Sequence, residues 1–317
     1  MEELLRSGYR RVTAIGASAF AARPFAGMVP GAVELLPVLV LNGLVWGLIV
    51  ALIALGLSII FGLLDFVNVA HGDFFMVGAV LAWVLIDSTG NFWIAFAIVP
   101  AIGLVAGGLI ERGVLRPVEN DASLSIVASF GLSLILQEGV RATYGATPKR
   151  ILDPIGVTFP VFGLEYEFYR LFAAGVSLIA MGAFFLFLHR TKFGTWMRAV
   201  RQDREIAIAM GVPSDRIFMW TFGLGTAMAM LGGVVAAPLT SVEFRLGLDV
   251  LPLCFIAVII GGLGNLPGTA AAAILLSVME GAITSIAEPT TARIISLVFM
   301  SAVLLVRPRG LFTRLAA

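Results

Sequence analysis

The chain has 317 residues, 59% of them hydrophobic and 13% charged, with a mean hydropathy of +1.01 and a formal net charge of +1. A soluble domain carries about 25% charged residues, so a chain this apolar does not fold around one water-soluble core and takes a bilayer as its solvent. The near-neutral balance offers no basic field to nucleic acid, the single cysteine (Cys254) forms no internal disulfide, and two histidines with one cysteine speak against structural zinc.

Residues 1–34 differ from the rest. They carry Arg6, Arg10, Arg11 and Arg23, then Pro24, Pro30 and Gly31. The stretch 12–22 is too weakly apolar for the core of a signal peptide, so these residues read as an interfacial or loosely ordered tail. Residues 35–317 read as one transmembrane domain. Apolar segments long enough to cross as helices lie at 35–61, 66–86, 92–110, 124–144, 168–188, 217–237, 251–264, 269–286 and 294–306. The expected fold is all-α, a polytopic helical bundle of eight or nine spans in membrane lipid. Two segments leave the number open. Segment 66–86 holds His71 and Asp73 in its first third, and segment 251–264 is short and runs into Gly261, Gly262, Gly264, Pro267 and Gly268. Either fits a broken or re-entrant helix, which a membrane tolerates where protein or a water-filled path satisfies the backbone.

Positive residues in short loops orient such a bundle. Residues 190–216 hold Arg190, Lys192, Arg198, Arg201, Arg204 and Arg216, and the chain end holds Arg307, Arg309 and Arg314; both are expected in the cytoplasm. Arg112 and Arg116 put a third loop there, while 145–167, with Asp153, Glu165 and Glu167, fits the outside. Nine crossings with an external N-terminus satisfy these assignments; the arginines of the tail argue the other way. Gly47, Gly56 and Gly62, and Gly223, Gly225, Gly232 and Gly233, suit close helix approach.

Residues 191–213 read as a polar helical stretch that stops at Gly211, with Pro213 just beyond. Glu205, Ala207 and Gly211 match the spacing of the E-A-A-x-x-x-G coupling motif of ABC permeases, with Ile206 in place of the first alanine. Arg201, Asp203 and Arg204 place charges on or beside it. The plainer alternative is an ordinary loop that orients the chain. Within the spans, Asn68, His71 and Asp73 form the main polar cluster, with Gly72 allowing close backbone approach. A charged group in a span costs about 2.5–3.5 kcal/mol near its centre, so such groups face a partner or water. This cluster is either a translocation or gate element or an internal tie across a helix break. Gln137 and Glu280 are further polar residues in apolar runs. Gly261, Gly262, Gly264 and Pro267 mark either a fixed turn or a hinge.

Four segments resemble the LivH-type permease family of branched-chain amino acid ABC importers. The first runs from Ala51 to the signature Asn68-Val-Ala-His71-Gly72-Asp73. The second is Glu111-Arg112, Arg116-Pro117-Val118 and Gly131 to Gln137. The third is Arg198-Ala-Val, Asp203, Met210-Gly211, Asp215-Arg216 and Thr221 to Gly225. The fourth is Gly261 to Gly268, Glu280 and Val303 to Phe312. The resemblance implies a helical permease working with a second homologous permease, two cytoplasmic ATPase subunits and an external substrate-binding protein. It implies transport of branched-chain amino acids or a related small amino acid or amide. No G-x-x-x-x-G-K-[ST] loop is present, so the chain is not itself an ATPase; it is expected to bind no cofactor, with ATP and Mg on the partner subunits. The chain departs from the family's pattern around Asp249 to Cys254, where Pro252 is expected to kink a helix. A stand-alone secondary transporter or channel is the alternative, but the inverted repeats it calls for are not evident.

Overall fold

The computed structural model describes residues 32–64, 67–118, 121–161, 164–307 and 310–312. The tail expected at 1–34 lies outside these, except that residues 32–34 already belong to the first helix. Eleven α-helices follow in order. They are α1 (Ala32–Leu64), α2 (His71–Thr89), α3 (Phe92–Ile110), α4 (Ala122–Tyr144), α5 (Phe168–Arg190), α6 (Lys192–Gln202), α7 (Arg204–Ala209), α8 (Ser214–Ala236), α9 (Leu246–Gly261), α10 (Leu266–Ile283) and α11 (Pro289–Val306). Between α4 and α5 stands an antiparallel pair, β1 (Thr158–Val161) and β2 (Leu164–Glu167), paired Thr158 to Glu167 and Val161 to Leu164. It is an addition to the all-helical expectation.

Each apolar segment picked out in the sequence contains most of a helix. Among the described residues, seven helices are long and apolar enough to cross a membrane; α9 is shorter, and the apolar part of α11 is Pro289–Val303. Local chemistry sets the ends. Asn91 caps α3 by accepting from the Trp93 amide, Asp121 caps α4 from Ser123 and Leu124, Thr191 caps α6 from Gly194, and Asn265 caps α10 from Gly268. One expectation about helix limits changes. The helix expected from residue 66 begins at His71, because residues 67–70 are spent on a turn. Pro252 lies inside α9 and does not end it.

The centre of the bundle is α1 against α8. A Cβ on Gly56 would stand 2.6 Å from the Gly225 carbonyl oxygen, and one on Gly225 would stand 2.7 Å from that of Gly56. The two backbones therefore touch, the small-residue packing that replaces the hydrophobic effect between helices in lipid. Helices α2 and α3 cover one side of this pair and α9 and α10 the other, with α5 against α1. α4 is built inside out. Ser125, Ser129 and Ser133 are buried, whereas Val127 is 66% and Ile135 is 69% exposed. Apolar residues likewise cover the outer faces of α3 and α5, as at Leu109 and Ile179.

One end of the bundle is basic. Arg116 bonds the Asp215 carbonyl at the start of α8, Arg201 lies against Gly264, and the Leu311 amide bonds the Ile260 carbonyl. Residues 190–216, Arg112, Arg116 and Arg307 thus share an end, and the β1–β2 hairpin lies at the other. α1 starts at the far end and α11 finishes at the basic end.

Substituting Gly56 by Ala is expected to force α1 from α8 and lower the melting temperature of the purified protein by several degrees, since overpacking costs roughly 1–3 kcal/mol. Gly175→Ala, where an added Cβ meets nothing within 4 Å, should leave it unchanged. Equal melting of the two variants would contradict this packing.

Candidate functional site

The break before α2 lies deep in the bundle. Asp73 is 1% exposed and faces the side chains of Ser133 and Gln137, and Gln137 donates to Ser133 at 3.0 Å. Ser133 is the middle residue of α4, so the first turn of α2 sits halfway along a full-length helix. The 19 residues of α2 then rise about 28 Å to the far end.

At that depth water is not at hand for the turn at 67–70, and side chains take its place. Ser129 accepts from the Val69 amide at 3.2 Å, and its hydroxyl also lies 3.4 Å from the Val67 carbonyl oxygen. The Asn68 side-chain oxygen accepts from the Ala70 amide at 3.1 Å. His71 is fully buried, with its Nε2 3.0 Å from the Ile53 carbonyl oxygen on α1. One polar atom on each of Asn68, His71 and Asp73 is left without a protein partner.

Gly72 completes the cluster. A Cβ there would strike the Gly247 carbonyl oxygen and stand 2.9 Å from the Leu251 Cβ. The start of α9 therefore packs on the start of α2, and α9 also begins at mid-depth. It runs from there to the basic end, while α2 runs away from it. Both segments that suggested broken helices are half-depth starts. The break belonging to α9 is at 237–245, however, and not at the glycine string.

That string is the turn from α9 to α10 at the basic end. Gly262 and Gly264 take φ of 95° and 75°, which an L side chain adopts only with strain. Gly261 packs on the Thr269 backbone, Pro267 stands in the first turn of α10, and the Asn265 amide group donates to the Phe312 carbonyl at 2.8 Å. The turn forms one wall of a cleft of about 840 Å³; Gly62, Leu188, Arg198 and Arg201 are among its other lining residues. Arg201, at the end of α6, thus touches the glycine turn directly.

The stretch at 191–213 is two helices, not one. Asp203 interrupts it in extended backbone and caps α7 by accepting from the Ile206 amide at 2.9 Å. Arg204 lies over the Phe218 ring and Ala207 is buried, while Glu205 is exposed. Gly211 ends the segment with φ of 85°. A feature unmarked as a site in the sequence supports its far side. Glu111, 1% exposed in a π-helical turn (Glu111–Leu115), pairs with Arg116 at 2.9 Å, and Arg116 in turn bonds the Asp215 carbonyl at 2.7 Å.

The predicted residues therefore form two groups. Asn68, His71, Gly72, Asp73 and Gln137 meet at mid-depth; Arg201 joins Gly261, Gly262, Gly264 and Pro267 at the basic end, with Asp203, Arg204, Glu205, Ala207 and Gly211 on the adjoining segment. Glu280 belongs to neither and faces α11. Ser129, Ser133 and Gly247 were missed. The signal for the serines was present: Ser125, Ser129, Ser133 and Gln137 recur every fourth residue, a polar stripe on an otherwise apolar helix. Gly247 had none, since its neighbour is far away in sequence.

A bundle of apolar helices with two half-depth helix starts is the body of a polytopic membrane protein. Residues 39–306 match the family model described as branched-chain amino acid transport system / permease component, and the chain belongs to that family. It is 28% identical over 293 residues to the high-affinity branched-chain amino acid transport system permease protein LivH of Escherichia coli K12, covering 86% of this chain and 94% of that one. The corresponding BraD protein of Pseudomonas aeruginosa is also 28% identical with the same coverage. A probable LivH of Methanocaldococcus jannaschii is 25% identical over 290 residues, covering 86% and 91%. A chain of PsaBC from Streptococcus pneumoniae in complex with Fab aligns over 81% of this chain and 89% of its own at 16% identity and a TM-score of 0.42, too distant to inform the site. As a permease component, the chain is not itself an enzyme.

Ser129→Val should leave the Val69 amide unsatisfied and cost about 1–3 kcal/mol, read as a lower melting temperature, with Ser129→Thr close to the parent. Parental melting of the valine variant would show that the turn does not depend on this hydroxyl.

Proposed function

We propose that this chain is a membrane-spanning half of an ATP-driven importer in a cytoplasmic (inner) membrane, carrying a branched-chain amino acid or a related small amino acid or amide. It works with a second homologous permease, two cytoplasmic ATPase subunits and an external substrate-binding protein. ATP and Mg²⁺ belong to the ATPases, and this chain holds no cofactor. The substrate follows the names of its relatives. The basic end faces the cytoplasm, in keeping with the distribution of Lys and Arg, and α1 starts outside.

One observation carries the coupling role. On the segment from α7 to Gly211, Ile206 is 62% exposed, Ile208 49% and Met210 80%, while Ala207 is buried against the bundle. Large apolar residues clustered on a water-facing tip mark a contact surface. An orienting loop has no use for them; a groove on an ATPase has. Movement of this tip reaches the bundle along α6, through Arg201, into the Gly262–Gly264 turn and α9. The mid-depth cluster is proposed as part of the gate, and its hydrogen bonds hold the break whichever way the gate stands.

Ile206→Glu and Met210→Glu should each abolish co-purification of the ATPases, or their stimulation by loaded binding protein, while membrane insertion stays normal. Parental stimulation in both variants would remove the docking role. Intact cells test sidedness: a cysteine at Gln202 should resist impermeant thiol reagents applied from outside, and rapid labelling would reverse the orientation.

A further inference from the structure

A second charged cluster lies away from the break. Asp249, on the first turn of α9, faces Arg293 of α11 at 3.7 Å, with side chains 57% and 50% exposed. Glu280 of α10 has the Ser296 hydroxyl and Arg293 as its polar neighbours, and its buried Oε1 has no hydrogen-bond partner. Three helices thus bring two carboxylates and one guanidinium together.

Depth makes this arrangement informative. Gly247 packs on Gly72 at the middle of the bundle, and Asp249 is only two residues further along α9 toward the basic end. A half-exposed ion pair at that level is not facing hydrocarbon, where each charge costs about 2.5–3.5 kcal/mol near the centre of a helix. It faces water or another protein. The outward stripe of α9 runs from Leu248 through Pro252 and half-buried Phe255 to Ile259, which lines the cleft at the basic end, and Asp249 stands at the edge of that stripe. The stripe thus passes beside the charged cluster and reaches the cleft.

The pair is also loosely held. At 3.7 Å, Arg293 and Asp249 attract each other without the 2.7–2.9 Å contact of a charge-assisted hydrogen bond. An arginine fork in this state suits a carboxylate, which it binds in two-pronged fashion. Asp249, 57% exposed and loosely held, suits an ammonium group. Leu248, 45% exposed beside Asp249, offers an apolar surface to a short aliphatic side chain.

We propose that Asp249 and Arg293, backed by Glu280, form a water-facing binding site for a zwitterionic amino acid on the transport route, Arg293 receiving the carboxylate and Asp249 the ammonium. This rests on the importer reading and names the contacts that the permease itself makes with its substrate.

The test uses the complete permease–ATPase complex without binding protein. Cys254 is replaced by Ala, and Leu248→Cys is treated with a charged methanethiosulfonate. Labelling is expected, because the face is wet. Millimolar L-leucine should slow it severalfold, whereas L-leucinamide, lacking the carboxylate, should not. Arg293→Gln should weaken leucine protection about tenfold or more, as loss of a charged hydrogen-bonded partner does, and Arg293→Lys should restore part of it. Absence of labelling, no slowing by leucine, or equal slowing by the amide would each overturn the site. The importer reading is judged separately, by purifying the tagged chain from its own membrane and asking whether a second permease and ATP hydrolysis accompany it; their absence would sink that reading and leave the protection result to decide the site.

Discussion

A turn in the middle of a bilayer has to be hydrogen-bonded by the protein around it. The rest of this structure is arranged about that constraint at residues 67–70. Ser129 takes the Val69 amide, Asn68 folds back onto the Ala70 amide, and His71 reaches the Ile53 carbonyl oxygen on α1. These contacts explain why α4 carries a serine at this level of its inner face, and why a histidine tolerates complete burial in so apolar a chain; Asp73 has Ser133 and Gln137 of the same helix face beside it. They also fix where α2 begins, and through Gly72 they fix where α9 begins.

Two helices starting at one level and running in opposite directions divide the bundle unevenly. The α3, α4 and α5 side shows large apolar residues outward, as at Leu109, Ile135 and Ile179. The α9, α10 and α11 side shows an aspartate and an arginine half exposed at depth. Only the first is a fit surface for lipid throughout. On the second, α9 spans only the stretch from the break to the glycine turn, and that turn is where Arg201 arrives from the basic-end segment. A displacement of α6 and α7 thus bears on the basic end of α9, the helix whose other end meets the start of α2.

Much of this was legible in the sequence, for physical reasons that differ by element. The helices were visible because each is an apolar run bounded by caps and breakers, as with Asn91, Asp121 and Gly90. The break before α2 was visible because His71, Gly72 and Asp73 are costly in an unbroken span. The glycine string, read as a fixed turn or a hinge, is a tight turn between two helices, whereas the interruption before α9, at 237–245, is marked only by Pro238 and a change to polar residues. The segment at 191–213 read as one helix because its composition is helical throughout; Asp203 breaks it by capping the next turn, a choice that local propensity does not reveal. Contacts such as Gly72 with Gly247, or Arg201 with Gly264, join distant parts of the chain and leave no local trace.

The central claim is that α2 and α9 both begin at mid-depth. A distance between spin labels at Ser88, near the far end of α2, and Leu248, at the start of α9, tests it most directly in the reconstituted protein. From Gly72 to Ser88 the helix rises about 24 Å, so the account predicts a separation of about 25 Å before allowing for the labels. A separation well under about 15 Å, the value for a helix that starts level with the end of α2 and packs beside it, would contradict it.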